Sequence, residues 1–136
     1  MKPGLALMVA LLCLAAGCAS NAPEDKETAP STSIAQNAAG QYVIKESEIT
    51  GDSSISFEYN GGPAILISTG GKYYAYADRC TLEGCQLRYS DGKLTCPCCR
   101  SVFDPASGQA VSGRAKEALA TLKVTVTDGS IYVSGP

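Results

Sequence analysis

The sequence predicts an all-β domain, built as a small antiparallel sandwich or a partly open barrel, and two patterns point to this fold class. Turn signals made of glycine, proline, asparagine and aspartate recur about every ten residues between positions 60 and 129. Short runs rich in β-branched and aromatic residues lie before and between these turns, at positions 42–44, 55–59, 64–68 and 73–77. Many short strands at such regular spacing are typical of sandwiches and barrels.

The carboxy-terminal end contains the clearest strand pattern. Polar and apolar residues alternate with period two over positions 121–126, as they do in a half-buried antiparallel strand. Asp128-Gly129 separates this run from the apolar residues 131–133, and such a dipeptide predicts a tight hairpin. Residues 114–119 form the one helix candidate, which is too short to alter the fold class.

The first seventeen residues predict export. Lys2 precedes an apolar run at positions 5–16, and a helix of that length would span roughly 18 Å against a bilayer core of about 30 Å. The run therefore fits a signal peptide rather than a membrane span. It ends in small residues before Cys18, which resembles the lipobox of prokaryotic lipoproteins, although Ala15 stands where leucine is usual. We expect residues 1–17 to be cleaved and Cys18 to carry a lipid that anchors the exported protein to a membrane; ordinary secretion is the alternative.

The remaining chain divides into a tether and one domain. Residues 18–40 are rich in alanine, serine, threonine, asparagine and proline, and they contain too few large apolar side chains to offset the entropy of ordering. We expect them to form a flexible tether. Residues 41–136 suffice for a single domain with a modest core. The formal net charge of −2, without a basic stripe, argues against a nucleic-acid partner.

Five of the seven cysteines fall within one short stretch of the domain. They are Cys80, Cys85, Cys96, Cys98 and Cys99. Disulfides are the default in an exported protein, but five is an odd number and neighbouring cysteines seldom pair with each other. A metal site that uses some of these sulfurs is therefore favoured. The spacing suits tetrahedral zinc and iron–sulfur ligation alike, because both select soft thiolates, so spacing alone leaves both open.

The residues around these cysteines resemble the two ligand boxes of the Rieske iron–sulfur family. Those boxes read C-T-H-x-G-C and C-P-C-H-G-S, and this chain reads C-T-L-E-G-C from Cys80 and C-P-C-C-R-S from Cys96. The strand before the first box, the hairpin between the boxes and the final hairpin also resemble the family, over residues 41–133. The resemblance implies a Rieske-like domain with a cysteine-rich tip that holds an iron–sulfur cluster, most often [2Fe–2S].

Carried over by position, Cys80 and Cys96 match the family's two cysteine ligands, and Cys85 and Cys98 match its disulfide. The two histidine positions hold Leu82 and Cys99, and the chain contains no histidine at all. Cys99 can ligate as a thiolate, whereas a leucine side chain cannot.

Three outcomes stay open for this centre. Cys85 or Cys98 can serve as the fourth ligand of an all-thiolate cluster, which leaves no disulfide. Alternatively the Cys85–Cys98 disulfide persists, and the fourth position is open or filled by an oxygen ligand such as Glu83. In the third outcome the cluster is lost, and the domain holds only disulfides or a zinc ion.

Four neighbouring residues complete the comparison with the family. Arg100 stands where glycine is usual, and its cation can offset thiolate charge. Ser101 matches a hydroxyl that hydrogen-bonds a bridging sulfur in higher-potential members. Phe103 takes a place that tyrosine often fills, so a donor is lost. Arg114 replaces the proline of the loop that covers the cluster, from which we expect a looser loop.

The resulting prediction is a membrane-tethered electron-transfer protein that exchanges single electrons with a redox partner the sequence does not name. Without a histidine to act as base, no acid–base or nucleophile pair is visible, so catalysis by the chain alone is not expected. The alternative is a zinc-binding or metal-handling lipoprotein. Thiol–disulfide exchange at Cys96-x2-Cys99 is a weaker reading, because this pair does not open a helix in a βαβ context.

Overall fold

A computed structural model describes residues 34–136, and these residues form eleven strands and one short 3-10 turn. The predicted signal peptide and Cys18 lie outside the described residues. The strands are β1 Ala35–Gln36, β2 Tyr42–Lys45, β3 Ser53–Tyr59, β4 Gly62–Thr69, β5 Lys72–Ala77, β6 Arg88–Ser90, β7 Lys93–Thr95, β8 Val102–Phe103, β9 Ala110–Ser112, β10 Thr121–Thr127 and β11 Ser130–Ser134. The 3-10 turn is Glu46–Glu48.

The strands form two antiparallel sheets. The larger sheet has the order β1-β2-β11-β10-β5-β4-β3, and the smaller one has the order β6-β7-β8-β9. The predicted all-β antiparallel class is therefore confirmed. The helix candidate at residues 114–119 is irregular backbone, and no helix among residues 34–136 is long or apolar enough to span a membrane.

The predicted turns fix the hairpins. Thr127 pairs with Ser130, so Asp128 and Gly129 form a two-residue loop in which both residues have positive φ, at 51° and 71°. This is the turn geometry that matches the twist of antiparallel strands, and Asp-Gly is favoured there because both positions must be left-handed. Asp91-Gly92 closes the β6–β7 hairpin in the same way, with φ of 51° and 69°.

The folded part begins earlier than the sequence indicated. Residues 34–40 belong to the segment expected to be a flexible tether, yet Ala35 and Gln36 pair with β2. Asn37 explains this difference, because its side-chain oxygen accepts hydrogen bonds from the amides of Ala39 and Gln41. An asparagine that bonds backbone two and four residues ahead stabilises a turn, and Ile34 also packs against a buried cluster of the larger sheet.

The core lies on both faces of the larger sheet, which explains why β4 is apolar without alternation. Ala64 and Leu66 face one buried cluster with Ile44 and Ile131, because alternate side chains of a strand point to opposite faces. The intervening residues of β4 face a second cluster, which includes Tyr76, Leu94, Phe103 and three of the cysteines. The side chains of these three cysteines are therefore buried in the core.

Candidate metal centre

The two cysteine boxes adopt the same loop. In the first, the amide of Cys80 donates to the Cys85 carbonyl at 2.8 Å, and the amide of Gly84 donates to the Cys80 carbonyl at 2.9 Å. In the second, the amide of Cys96 donates to the Ser101 carbonyl at 2.8 Å, and the amide of Arg100 donates to the Cys96 carbonyl at 3.0 Å. The fifth residue of each loop is left-handed, with φ of 70° at Gly84 and 55° at Arg100. Two matched loops thus present their cysteines to each other.

A buried carboxylate holds the first loop in place. Asp78 is 1% exposed, its amide donates to the Pro63 carbonyl, and its side chain accepts the amide of Leu87 at 2.8 Å. Burial raises the pKa of the Asp78 carboxyl, and the Leu87 amide opposes that rise. The residues on both sides of the first box are therefore fixed to the larger sheet.

Three of the predicted ligands converge. The sulfur atoms of Cys80, Cys96 and Cys99 lie within 4.8 Å of one another, and all three side chains are buried. The Sγ atoms of Cys80 and Cys99 are 3.4 Å apart. The Sγ of Cys99, which stands at the family's second histidine position, thus lies close to the sulfurs of Cys80 and Cys96, which stand at the two cysteine-ligand positions.

Cys85 and Cys98 form a disulfide that joins the two loops, with their Cα atoms 6.4 Å apart. This separation lies within the range that disulfides require. The structure thus has the predicted disulfide alternative, and in this state neither sulfur is a thiolate that could serve as the fourth ligand. Leu82, at the other histidine position, is 45% exposed, and the neighbouring Glu83 is exposed as well.

Ser101 is the most constrained polar group of the site. Its side chain is fully buried, and its Oγ accepts the amides of Arg114 at 3.1 Å and Ala115 at 2.9 Å. A hydroxyl has two acceptor lone pairs and one proton, so both lone pairs are occupied and the proton is left to donate. The Sγ of Cys99 lies 3.0 Å from this oxygen and donates to it as a thiol; once the thiol ionises, the Ser101 hydroxyl becomes the donor and the sulfur the acceptor.

The loop over Ser101 is attached more firmly than predicted. Arg114 replaces a proline of the family, and its amide makes one of the two hydrogen bonds to Ser101, which a proline could not make. Gly113 allows this close approach, because a Cβ there would lie 2.5 Å from the Cα of Ser101. The expectation of a looser loop did not foresee these two amides, which attach the loop to Ser101.

The thiols differ in acidity. The Ser101 hydroxyl lowers the pKa of Cys99 to about 7, and hydrogen bonds from the other two thiols add to this effect. Burial raises the pKa of the Cys96 thiol to about 11, and its hydrogen bond with Cys80 acts in the same direction. Of these two thiols, Cys99 therefore ionises the more readily, and burial keeps Cys96 protonated to higher pH.

The remaining predicted residues surround the site without supplying ligands. The side chain of Arg100 is exposed, and no ion pair or hydrogen bond of its guanidinium is found among the described residues. Phe103 is fully buried in the cluster that contains the three thiols. Its ring is an apolar part of the surroundings of the three thiols. Unlike the tyrosine that often fills this place in the family, it has no hydroxyl.

The donor set suits soft metals. Three thiolates without imidazole or carboxylate select zinc or iron–sulfur chemistry over hard cations. For a two-iron cluster, the residues fit three of the four terminal-ligand positions, and the fourth position carries the hydrocarbon side chain of Leu82. The site is thus compatible with the cluster at Cys80, Cys96 and Cys99 and one ligand short of the usual set.

Comparisons with known proteins agree with this geometry. The family model described as Rieske [2Fe-2S] domain matches residues 40–123. A putative respiratory nitrate reductase subunit Rieske of Haloferax mediterranei is 41% identical over 66 residues, which cover 46% of this chain and 30% of that protein. The cytochrome b6-f complex iron-sulfur subunit of Synechococcus elongatus is 33% identical over 101 residues, which cover 71% of this chain and 54% of the subunit.

Solved structures support the fold. The ferredoxin of carbazole 1,9a-dioxygenase from Nocardioides aromaticivorans IC177 superposes with a TM-score of 0.61 at 17% identity, covering 69% of this chain and 95% of the ferredoxin. At this identity the likeness concerns the fold alone. The chain spans 30% and 54% of the lengths of the two curated relatives described above.

Replacing Ser101 by alanine should raise the pKa of Cys99 in the metal-free chain from about 7 toward the ordinary value of 9.0, because the donor to the thiolate is removed. Ultraviolet thiolate absorbance against pH measures this midpoint, and Ser90→Ala, at an exposed serine, is the control. An unchanged midpoint in Ser101→Ala would contradict the hydrogen bond.

The same shift predicts how stability depends on pH. Because Cys99 ionises more readily in the folded chain than in the unfolded one, stability should rise with pH between about 7 and 9 and be lost below that window. The raised pKa of Cys96 acts in the opposite sense from about 9 to 11. Thermal unfolding across this range should show the rise in the wild type and a smaller one in Ser101→Ala.

Proposed function

This chain belongs to the Rieske [2Fe-2S] domain family, and we propose that it binds an iron–sulfur cluster, of the two-iron kind, and transfers single electrons. The observation that carries the proposal is the convergence of three buried sulfurs, from Cys80, Cys96 and Cys99, on the two loops that match the family's ligand boxes. The relatives add support, because their names describe a Rieske subunit, a cytochrome b6-f iron-sulfur subunit and a ferredoxin.

Different residues of the chain would have different roles at such a site. Cys80, Cys96 and Cys99 would hold the cluster, which when bound supplies a centre that accepts and returns one electron. Ser101 stabilises negative charge at the Cys99 sulfur through its hydroxyl. Phe103 and the covering loop at residues 113–115 keep water from the sulfurs, while the exposed Leu82 lies on the same loop as Cys80 and brings the site close to the surface.

The chain's own groups favour an electron carrier over a catalyst. It contains no histidine, so no imidazole can shuttle protons. The nucleophilic thiols are buried together rather than exposed in a cleft with a base. A partner protein would accept or supply the electron.

The same geometry favours a second candidate, a single zinc ion. Two sulfurs on one tetrahedral zinc lie about 3.8 Å apart, given a Zn–S bond of about 2.3 Å. The three sulfurs here fall within 4.8 Å of one another, which one ion can bridge. A domain of this kind would be a structural or metal-handling protein and would not carry electrons.

Replacing Cys80, Cys96 or Cys99 singly by alanine should abolish or bleach the visible absorption of anaerobically purified protein, because each change removes a ligand. Iron, zinc and acid-labile sulfide analysis of the same samples distinguishes the two candidates. Ser90→Ala, at an exposed serine outside the site, should leave the spectrum unchanged. A colourless wild type that contains zinc, prepared without oxygen, would refute the iron–sulfur proposal.

The reduction potential should lie below about −150 mV and vary little from neutral to moderately alkaline pH. Rieske centres reach about −150 to +300 mV because imidazoles replace two thiolates, against about −400 mV for plant-type all-cysteine clusters. Here Cys99 contributes an anionic ligand, and no ligand imidazole can release a proton. Protein-film voltammetry over this pH range tests both statements. A positive potential, or a steep fall with pH, would show the electronic reasoning to be wrong.

We also propose that the domain is tethered to a membrane through a lipid on Cys18, on the strength of the small residues that follow the short apolar run. In the host cell, Cys18→Ser should release the protein into the soluble fraction without altering its fold. Fractionation with immunodetection measures the release, and circular dichroism checks the fold. A variant that stays with membranes as fully as the wild type would overturn the tether.

A further inference from the structure

The proposed cluster lacks one ligand, and we propose that Cys85 supplies it as a thiolate after the Cys85–Cys98 disulfide is reduced. This inference rests on the proposed metal-binding function and assigns both the missing ligand and the condition under which it becomes available. Loading of the centre would then require a reductant of the dithiol class.

The shortage is visible in the donor set. Among the described residues, the group of side chains able to hold a metal here is limited to Cys80, Cys96 and Cys99. Leu82 offers only carbon, and the carboxylate of Glu83 belongs to an exposed residue. Structural zinc and two-iron clusters both use four protein ligands. The nearest unused sulfurs along the two loops are those of the disulfide.

Burial distinguishes the two disulfide partners. Cys85 is half-buried and packs against the core cluster that contains the three free thiols. Its carbonyl also accepts the amide of Cys80 at 2.8 Å, so it is fixed to the backbone of a ligand residue. Cys98 is exposed, although it directly precedes Cys99. Reduction therefore frees one sulfur beside the site and one toward solvent.

The exposed partner is also the one a reductant reaches. Cys98 is exposed, whereas Cys85 is half-buried in the wall of a surface cavity of about 360 Å³. Thiolate attack depends on access and on which sulfur leaves. Attack at the exposed Cys98 makes Cys85 the leaving group, on the side of the three thiols.

The exchange balances with a dithiol. One thiolate of the dithiol bonds to the Sγ of Cys98, the protein S–S bond breaks, and Cys85 leaves as a thiolate. The second thiol then attacks the mixed disulfide, closes the dithiol's own S–S bond and releases Cys98 as a thiol. The protein disulfide gains two electrons and the dithiol loses two; one of its protons ends on Cys98 and the other passes to solvent, because Cys85 stays ionised on the metal.

Metal binding and reduction are thereby linked. A metal that binds the Cys85 thiolate removes this thiolate from the exchange equilibrium and thereby favours reduction of the disulfide. Conversely, an intact disulfide holds the site at three thiolates. The reduced, loaded centre and the oxidised, unloaded domain are two states of one set of five cysteines.

Cobalt binding tests the assignment, because Co²⁺ in a tetrahedral thiolate site is coloured. The full chain carries Cys13→Ser and Cys18→Ser throughout, so that only the five site cysteines respond. We expect the disulfide-intact chain to bind Co²⁺ weakly, and the dithiol-reduced chain to bind about one Co²⁺ per chain with the intense absorption of four thiolates. Equal stoichiometry and equal spectra in both states would overturn the proposal.

A matched pair of variants identifies the sulfur. Cys98→Ser and Cys85→Ser each abolish the disulfide and leave one thiol. Cys98→Ser should load without dithiol and match the reduced wild type, whereas Cys85→Ser should stay at the three-thiolate level after reduction. Equal loading of the two variants, or better loading of Cys85→Ser, would refute the choice of Cys85. Circular dichroism checks that both are folded, and the wild-type comparison decides the redox requirement without them.

Reconstitution with iron and sulfide separates this inference from the proposed function. If the reduced chain and Cys98→Ser bind Co²⁺ as described but assemble no iron–sulfur cluster, the ligand assignment stands and the electron-transfer function fails. If the disulfide-intact chain assembles a full cluster, the function stands and the assignment of Cys85 fails.

Discussion

Everything at this centre depends on the backbone of two short loops. Each is closed by the same pair of hydrogen bonds, from residue one to residue six and from residue five back to residue one. Because the loops are equivalent, the first cysteines of the two boxes, Cys80 and Cys96, occupy matching places and face each other from opposite sides. The disulfide then fixes the separation of the loops. In the disulfide-bonded domain, the positions of Cys80 and Cys96 follow from this frame.

Charge is the second constraint. Replacing a neutral imidazole by a thiolate adds negative charge to a buried cluster, where desolvation penalises ions strongly. The side chain of Arg100 is exposed and is not bonded to the sulfurs. The compensation comes instead from the dipoles of hydrogen-bonding groups around Ser101. The amides of Arg114 and Ala115 occupy both lone pairs of Ser101, and its proton is left for Cys99. Under the proposed function, a bound metal would supply the remaining compensation.

The features predicted correctly from the sequence are those that local patterns encode, and the features missed depend on long-range contacts. The hairpin at Asp128-Gly129 and the two boxes were readable because turn chemistry and cysteine spacing are local. The strand at Ala35–Gln36 was missed, since it depends on a pairing with β2, on one asparagine side chain and on the packing of a single apolar residue, Ile34, against the core. The capture of Ser101 by amides thirteen and fourteen residues away leaves no local signal, and neither does the burial difference between Cys85 and Cys98.

Arg100 also bears on how such proteins are found. A left-handed conformation costs a residue with a Cβ roughly 1–2 kcal/mol relative to glycine. At the equivalent Gly84, an added Cβ would meet nothing within 4 Å, so a side chain at this place is tolerated sterically. Glycine there is thus a preference of modest energy, unlike the glycine at 113, where a Cβ would collide with Ser101. A motif that requires histidine and glycine in the second box excludes this chain, which has Cys99 and Arg100 there. A motif based on the loop backbone and on Gly113 would include it.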